Sequence, residues 1–125
     1  MDSYKLFEAE YRMMSIIWES EPLNSTALVK LCAERLGWKK STTYTQLKRL
    51  SERGFIENRD TVVVSLIKKE QVERYDSNEV VNGRFDGSLP KFLTSFLDSK
   101  PLSAGELDEL RGIIERYRRD SDGSK

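Results

Sequence analysis

The hydrophobic period of this 125-residue chain changes at Gly54. Before that glycine, apolar residues recur every three or four positions, which is the spacing of helices that bury one face. After it, the stretch from Phe55 to Ile67 holds two apolar runs rich in β-branched residues, separated by the polar segment 58–61. Such a stretch is typical of a β-hairpin with a polar turn. The pattern therefore predicts three helices followed by a hairpin.

Start and stop signals bound the three predicted helices. The first covers residues 7–20 and stops before Pro22, because the residue that precedes a proline is pushed out of helical geometry. The second runs from the N-cap residue Asn24 to Gly37, a natural helix stop, and the third is predicted over 42–53. The residues expected to face the core are Phe7, Tyr11, Met14, Ile17, Trp18, Leu28, Leu31, Cys32, Leu36, Leu47 and Leu50, with Thr43 at the core margin.

The chain after the hairpin is predicted to be helical again. A loose apolar stripe indicates a long helix with an interruption near 76–78, and Ser88 can cap a short apolar helix over 89–97. Ser103 and Glu106 form a capping box at the start of a last helix.

The apolar faces of these last helices are large for their length. The helices cannot close a core alone, so they must pack on the first domain or on another chain, and a second copy of this chain is the simpler source of that surface. We therefore expect a first domain at 1–76 and a helical dimerisation region at 77–125. The predicted dimer contacts are Phe92, Leu93, Phe96, Leu107, Leu110, Ile114 and Tyr117.

Composition limits the chemistry that the chain can perform. Histidine is absent and Cys32 is the only cysteine, so an intramolecular disulfide, a Cys/His metal cluster and the commonest general base are all excluded. Neither a Gly-rich phosphate loop nor a nucleophile motif is present. We expect no enzymatic activity and no cofactor, with a carboxylate-based enzyme as the most distant alternative. No signal-peptide pattern or run of transmembrane length is seen, which predicts a cytoplasmic protein.

Positive charge is concentrated around the third helix. The whole chain carries 21 basic and 21 acidic residues, so its net charge indicates neither a nucleic acid nor a membrane as partner. From residue 39 to 60, however, six basic residues accompany three acidic ones. Local basicity of this kind attracts phosphate, although a solvated helix face would have the same composition.

Three helices and a hairpin in this order make a winged helix-turn-helix, in which the third helix enters the DNA major groove and the hairpin is the wing. The third helix begins with threonines, which are poor helix formers but carry hydroxyl and methyl groups suited to phosphates and base edges. Ser41 is expected both to cap this helix and to contact DNA. Glu57 and Asp60 flank Arg59, so the wing is expected to contribute modestly. The predicted DNA contacts are Lys40, Ser41, Thr42, Tyr44, Thr45, Lys48, Arg49 and Arg59.

Three segments of the chain together resemble one known family. They are LFEAEYRMMSIIWESEPLNSTALV, STTYTQLKRLSERGFI and GSLPKFLTSFLDSKPLSAGELDELRGIIE. Over nearly the whole chain, the sequence is similar to the penicillinase-repressor family (BlaI/MecI type) of winged helix-turn-helix transcriptional regulators. The resemblance implies a homodimeric repressor that reads a palindromic operator in double-stranded DNA with helix 41–53. The alternative is a winged-helix protein–protein interaction module without DNA binding, which the zero net charge and the acid-flanked wing keep open.

The resemblance also implies a mode of regulation. Such repressors often accompany a membrane-bound sensor protease, which cuts the relatives between an asparagine and a phenylalanine in the short C-terminal helix. The matching pair here is Ser95-Phe96, so the phenylalanine is kept and the asparagine is not. Copper-sensing members carry a C-terminal cysteine cluster that this sequence lacks, so metal sensing is not expected.

Overall fold

The computed structural model describes residues 3–123, with side chains described through residue 121. It is mainly helical with one three-stranded antiparallel sheet in the order β1-β3-β2, which confirms the predicted fold class. The chain divides into two compact units, Met1–Val80 and Val81–Lys125. In chain order the elements are α1 (Glu8–Ser20), β1 (Leu23–Asn24), α2 (Ser25–Leu36), α3 (Lys40–Glu52), β2 (Ile56–Arg59), β3 (Val62–Ser65), α4 (Lys69–Arg84), α5 (Leu89–Ser99) and α6 (Ala104–Gly123).

The first unit is built around a core to which its helices and its sheet all contribute. Met13, Met14 and Ile17 of α1 are completely buried, and burial of an apolar side chain of this size stabilises the fold by about 1.5–3 kcal/mol. Burial also raises the pKa of the Cys32 thiol of α2, and a hydrogen bond with Thr43 of α3 offsets part of that rise. The other core residues are Ile16, Leu28, Leu47, Leu50, Phe55, Ile56, Val63 and Val72, with Trp18, Leu31 and Leu36 partly buried against them.

The buried face of α1 differs from the predicted one. The prediction for Phe7 and Tyr11 is wrong, because their side chains are 61% and 39% exposed. Phe7 lies before the helix as its N-cap residue. The buried stripe passes instead through Glu10, Met13 and Ile17, whose spacing of three and four residues is that of one helix face. A carboxylate therefore belongs to the buried stripe of α1, and two aromatic rings that the hydrophobic pattern assigns to the core lie outside it.

The hairpin has a tighter turn than predicted. β2 pairs with β3 over its full length, so Asn58 and Arg59, which the prediction places in the turn, are the last residues of a strand. Only Asp60 and Thr61 form the turn, with φ angles of 52° and 65°. Two successive residues with positive φ are characteristic of a type I′ turn, whose twist matches that of the paired strands.

A third strand precedes α2. β1 pairs with β3, with Leu23 opposite Val63, and a strand of two residues is too short to show any hydrophobic period. Two signals in the same region are confirmed. The side chain of Asn24 caps α2 by accepting a hydrogen bond from Ala27 N at 2.7 Å, and Gly37 ends α2 with a left-handed φ of 69°.

The start of α3 is earlier than predicted, and the capping role of Ser41 is wrong. The helix begins at Lys40, and its N-cap residue is Lys39, whose side chain makes no capping hydrogen bond. Lys39 is the last extended residue before the helix. Its carbonyl oxygen accepts the first helical hydrogen bond, from Thr43 N at 3.1 Å. Ser41 consequently lies inside the first turn.

No residue of the second unit is buried in the part that the structure describes, up to residue 121. Its aromatic side chains contact one another: Phe92 meets Phe85 edge to face at 5.2 Å and stacks with Phe96 at 6.2 Å between ring centroids. The predicted capping box of α6 is confirmed, because Glu106 N donates to Ser103 Oγ and Ser103 N donates to Glu106 Oε1, each at 3.1 Å.

The interruption predicted near 76–78 is wrong, because α4 is continuous from Lys69 to Arg84. The hydroxyl of Ser77 donates to the carbonyl oxygen of Arg74 at 3.0 Å, so this polar residue satisfies its hydrogen bond within the helix instead of ending it. The cap predicted for α5 is confirmed, since Ser88 Oγ accepts from Lys91 N at 3.1 Å.

Candidate nucleic-acid interface

The helix α3 has one buried side and a wide exposed side. Thr43, Leu47 and Leu50 are buried at a spacing of four and three residues, which fixes the helix against the core. All seven α3 residues predicted to contact DNA lie outside this stripe and are exposed. They are Lys40, Ser41, Thr42, Tyr44, Thr45, Lys48 and Arg49.

The threonine hydroxyls of α3 are not equivalent. Thr45 Oγ1 donates to the carbonyl oxygen of Ser41 at 2.9 Å, and Thr43 Oγ1 donates to that of Lys39 at 3.4 Å. The hydroxyl of Thr42 forms no hydrogen bond with any other part of the described chain. Since a hydroxyl has one proton and two lone pairs, Thr45 retains acceptor capacity, whereas Thr42 can both donate and accept.

The six basic residues between 39 and 60 have three different environments. Arg53 is paired with the buried carboxylate of Glu10 at 2.7 Å, and Arg59 is paired with Glu57 at 3.0 Å. The other four form no ion pair within residues 3–121: they are Lys39, Lys40, Lys48 and Arg49. The uncompensated positive charge of this region is therefore on α3 and its N-cap.

Arg59 belongs to the end of β2, beside the turn of the wing. Its guanidinium remains 76% exposed, although Glu57 Oε2 accepts a hydrogen bond from it at 3.0 Å. A phosphate would have to compete with that carboxylate. This geometry accords with a modest contribution from the wing, which stays a prediction.

A cleft of about 320 Å³ separates α3 from the wing. Tyr44 and Lys48 line one side of it and Asn58 of β2 lines the other. Asn58 is not among the contacts predicted from the sequence, because the hydrophobic pattern places this residue in a turn. The register of β2 against β3, which the sequence pattern does not contain, places Asn58 in a strand.

Within residues 3–123, no group of histidine, cysteine and acidic side chains is arranged to hold a metal ion, and none of the helices has the length and apolarity of a membrane span.

A turn with a left-handed glycine joins α2 to α3, and the β2–β3 hairpin follows directly. An exposed basic helix held in this order defines a winged helix-turn-helix DNA-binding protein.

Comparison with known proteins gives the family. The family model described as "Penicillinase repressor" matches residues 6–116 of the chain. The chain therefore belongs to the penicillinase repressor family and is a DNA-binding transcriptional repressor, in a family whose members are not enzymes.

Individual relatives are distant in sequence but similar in length. The chain is 25% identical over 118 residues to the methicillin resistance regulatory protein MecI of Mammaliicoccus sciuri, covering 91% of this chain and 96% of the relative. It is 26% identical over 118 residues to the penicillinase repressor of Bacillus licheniformis, covering 91% and 92%. The solution structure of the DNA-binding domain of the repressor BlaI has the same fold, with a TM-score of 0.51 and 22% identity, and the match covers 57% of this chain and 93% of that domain.

Proposed function

We propose that this protein is a homodimeric, cytoplasmic repressor that binds a palindromic operator through the exposed side of α3. The observation that carries the proposal is the group of four cations on α3 and its N-cap that have no ion pair within the described residues. Residues 1–76 would bind DNA and residues 77–125 would hold two copies together.

The side chains of α3 suit different parts of a DNA duplex. Lysines are point charges for phosphates, whereas the planar guanidinium of Arg49 can also form two parallel bonds with a guanine. Because no side chain caps α3, its first backbone N–H groups are available to a phosphate as well. We assign phosphate contacts to Lys40, Ser41, Tyr44, Lys48 and Arg59, and base-edge contacts to Thr42, Thr45 and Arg49.

The assignment is tested by measuring affinity for the DNA upstream of the protein's own gene. We expect Thr45→Ala and Arg49→Ala each to weaken binding by roughly 1–3 kcal/mol, because each removes a base-edge contact. Glu34→Gln, a change at an exposed residue of α2, is the control and should leave affinity unchanged. Failure of the wild-type protein to bind this DNA at low salt would favour the protein–protein interaction module instead.

The second unit supports the proposed homodimer. Leu107, Ile114 and Tyr117 of α6 are 47%, 52% and 64% exposed, and their spacing places them on one face of the helix with the half-buried Leu110. Two-fold symmetry would match such a face to its own copy and would present two α3 helices to a palindromic site. Sedimentation velocity at micromolar concentration tests this, and a monomer under those conditions would contradict it.

We also propose the Ser95-Phe96 bond as the point at which a membrane sensor protease inactivates the repressor. Both residues are exposed on α5, and a break there would detach α6 and part of the proposed dimer surface. Phe96 O accepts a hydrogen bond from Lys100 N at 3.0 Å, so this helical turn must unwind before cleavage. The test is co-expression with the cognate protease and mass measurement of the fragments, and a chain that stays intact after induction would refute the site.

A further inference from the structure

The most deeply buried charged group of the described chain lies beneath the end of α3. The side chain of Glu10 is only 1% exposed. Its two carboxylate oxygens accept hydrogen bonds from Arg53 Nη1 at 2.7 and 2.8 Å, and Oε1 also accepts from Phe7 N at 2.9 Å. Arg53 is the residue that ends α3. The pair thus joins the first turn of α1 to the last turn of α3.

Arg53 also holds the segment that precedes α1. Its Nη2 donates to the carbonyl oxygen of Lys5 at 2.6 Å and weakly to that of Ser3 at 3.5 Å. The guanidinium lies 4.8 Å from the centroid of the Phe55 ring. Both terminal nitrogens of Arg53 are therefore engaged inside the protein, and its side chain is 28% exposed. Arg53 therefore makes its contacts within the protein, although it belongs to the basic region.

A buried ion pair is a poor device for stability alone. Removing two charges from water is unfavourable, and apolar residues of similar size often stabilise a site as well or better. What the pair adds is direction, because the rigid, planar guanidinium of Arg53 donates from Nη1 to the Glu10 carboxylate and from Nη2 to the Lys5 carbonyl oxygen. Two such contacts on one planar group accept only a narrow range of angles. Leu47 and Leu50 also pack α3 against the core, but apolar burial is less directional than hydrogen bonding.

We propose that Glu10 and Arg53 are positioning residues that set the rotation of α3 and thereby the sequence discrimination of the repressor. This inference rests on the proposed function of α3. A small roll of the helix moves its side chains out of register with the base edges, while phosphate attraction depends much less on angle. The pair should therefore affect specific binding far more than non-specific binding, although neither residue touches DNA.

The variant Glu10→Gln separates positioning from electrostatics. It removes a negative charge, so electrostatics alone would strengthen DNA binding. If Glu10 positions α3, the variant should instead weaken binding to the specific site. We expect the ratio of affinities for the DNA upstream of the protein's own gene and for a scrambled fragment of equal length to fall about tenfold. Affinity for the scrambled fragment should stay within about twofold.

Two variants of Arg53 provide an independent readout. Arg53→Lys keeps the charge but loses the planar fork, and it should lower the affinity ratio as Glu10→Gln does. Arg53→Gln should leave the salt dependence of binding unchanged, whereas a lost phosphate contact would reduce the slope by about one. Should either single change prevent folding, the double variant Glu10→Gln with Arg53→Gln leaves no unpaired buried charge and takes its place.

The chain offers a matched control for this experiment. Arg35 and Glu19 form an ion pair of the same residue types at 2.7 Å between α2 and α1, but their side chains are 47% and 62% exposed. Arg35→Lys and Glu19→Gln should leave the affinity ratio unchanged. An unchanged ratio in folded Glu10→Gln, with wild-type protein that prefers its own upstream DNA, overturns the positioning role alone. A wild-type protein without that preference overturns the proposed function itself.

Discussion

The two units of this protein use apolar residues in opposite ways. In the first unit, Met13, Leu28 and Leu50 come from three different helices and are completely buried together. In the second unit, Ile114 and Tyr117 are more than half exposed, and no described residue is buried. Helical patterns that look alike in sequence thus belong to a closed core in one unit and to an open surface in the other. A surface of that kind indicates a partner.

The two units also differ in how far apart along the chain the residues joined by side-chain hydrogen bonds lie. The first unit has bonds between residues far apart in the chain, such as Trp18 Nε1 to Ile67 O at 3.0 Å and Ser65 N to Glu21 Oε1 at 2.7 Å. The second unit has bonds such as Lys91 to Asp86, five residues apart. The first unit therefore has the long-range directional contacts that a rigid DNA-reading surface requires.

The largest expected effect of a single change lies in the closed core. Leu50→Ala should lower the free energy of unfolding by about 2–5 kcal/mol, because it leaves a cavity under α3. Ile114→Ala is the matched change in the second unit. Urea denaturation at several protein concentrations should give a Leu50→Ala effect that is independent of concentration and an Ile114→Ala effect that grows with it. Equal behaviour of the two variants would remove the distinction between the units.

A charge on the open surface should have the next largest effect. We expect Ile114→Asp to raise the dissociation constant of the proposed homodimer about a hundredfold, or roughly 2.7 kcal/mol, while the isolated chain keeps its helical content. Sedimentation equilibrium measures the constant. Glu109→Lys, on α6 but off the stripe of exposed apolar residues, is the control. An effect as large at Glu109 would mean that the stripe is not the interface.

The smallest effect concerns the thiol of the closed core. Burial raises the pKa of Cys32 above its ordinary value of 9.0, so the unfolded chain loses this proton at a lower pH than the folded chain. The contribution of the buried thiol to the free energy of unfolding is therefore fully present below pH 9. It should be lost as pH rises through the folded pKa, by at most about 1.4 kcal/mol per pH unit. Cys32→Ala should lack this component when thermal unfolding is followed between pH 8 and 10.

Local signals in the sequence account for what could be predicted of the fold. Asn24, Gly37 and the Ser103–Glu106 box mark helix ends by chemistry that involves only neighbouring residues, and the change of period at Gly54 places the hairpin. The burial of Glu10 could not be predicted in this way, because its partner is 43 residues away and a carboxylate carries no apolar signal. The helix start at Lys40 could not be predicted, because Ser41 is itself a good cap in isolation.

The candidate site was predictable in composition and not in detail. The basic segment is visible in the sequence, but the environments of its cations depend on tertiary contacts. Arg53 and Lys48 look alike in the sequence, yet one is paired with a buried acid and the other is exposed without an ion pair in the described structure. Strand register, in turn, places Asn58 beside α3.

The lysines of α3, which form no ion pair in the described structure, are proposed to bind the DNA backbone. The most direct test is the salt dependence of binding to the DNA upstream of the protein's own gene, compared between Lys48→Ala and Arg59→Ala. We predict that Lys48→Ala reduces the slope by about one, because one phosphate contact is lost, and that Arg59→Ala reduces it by much less, because Glu57 already neutralises that guanidinium. An unchanged slope in Lys48→Ala, or a larger loss in Arg59→Ala, would contradict the claim.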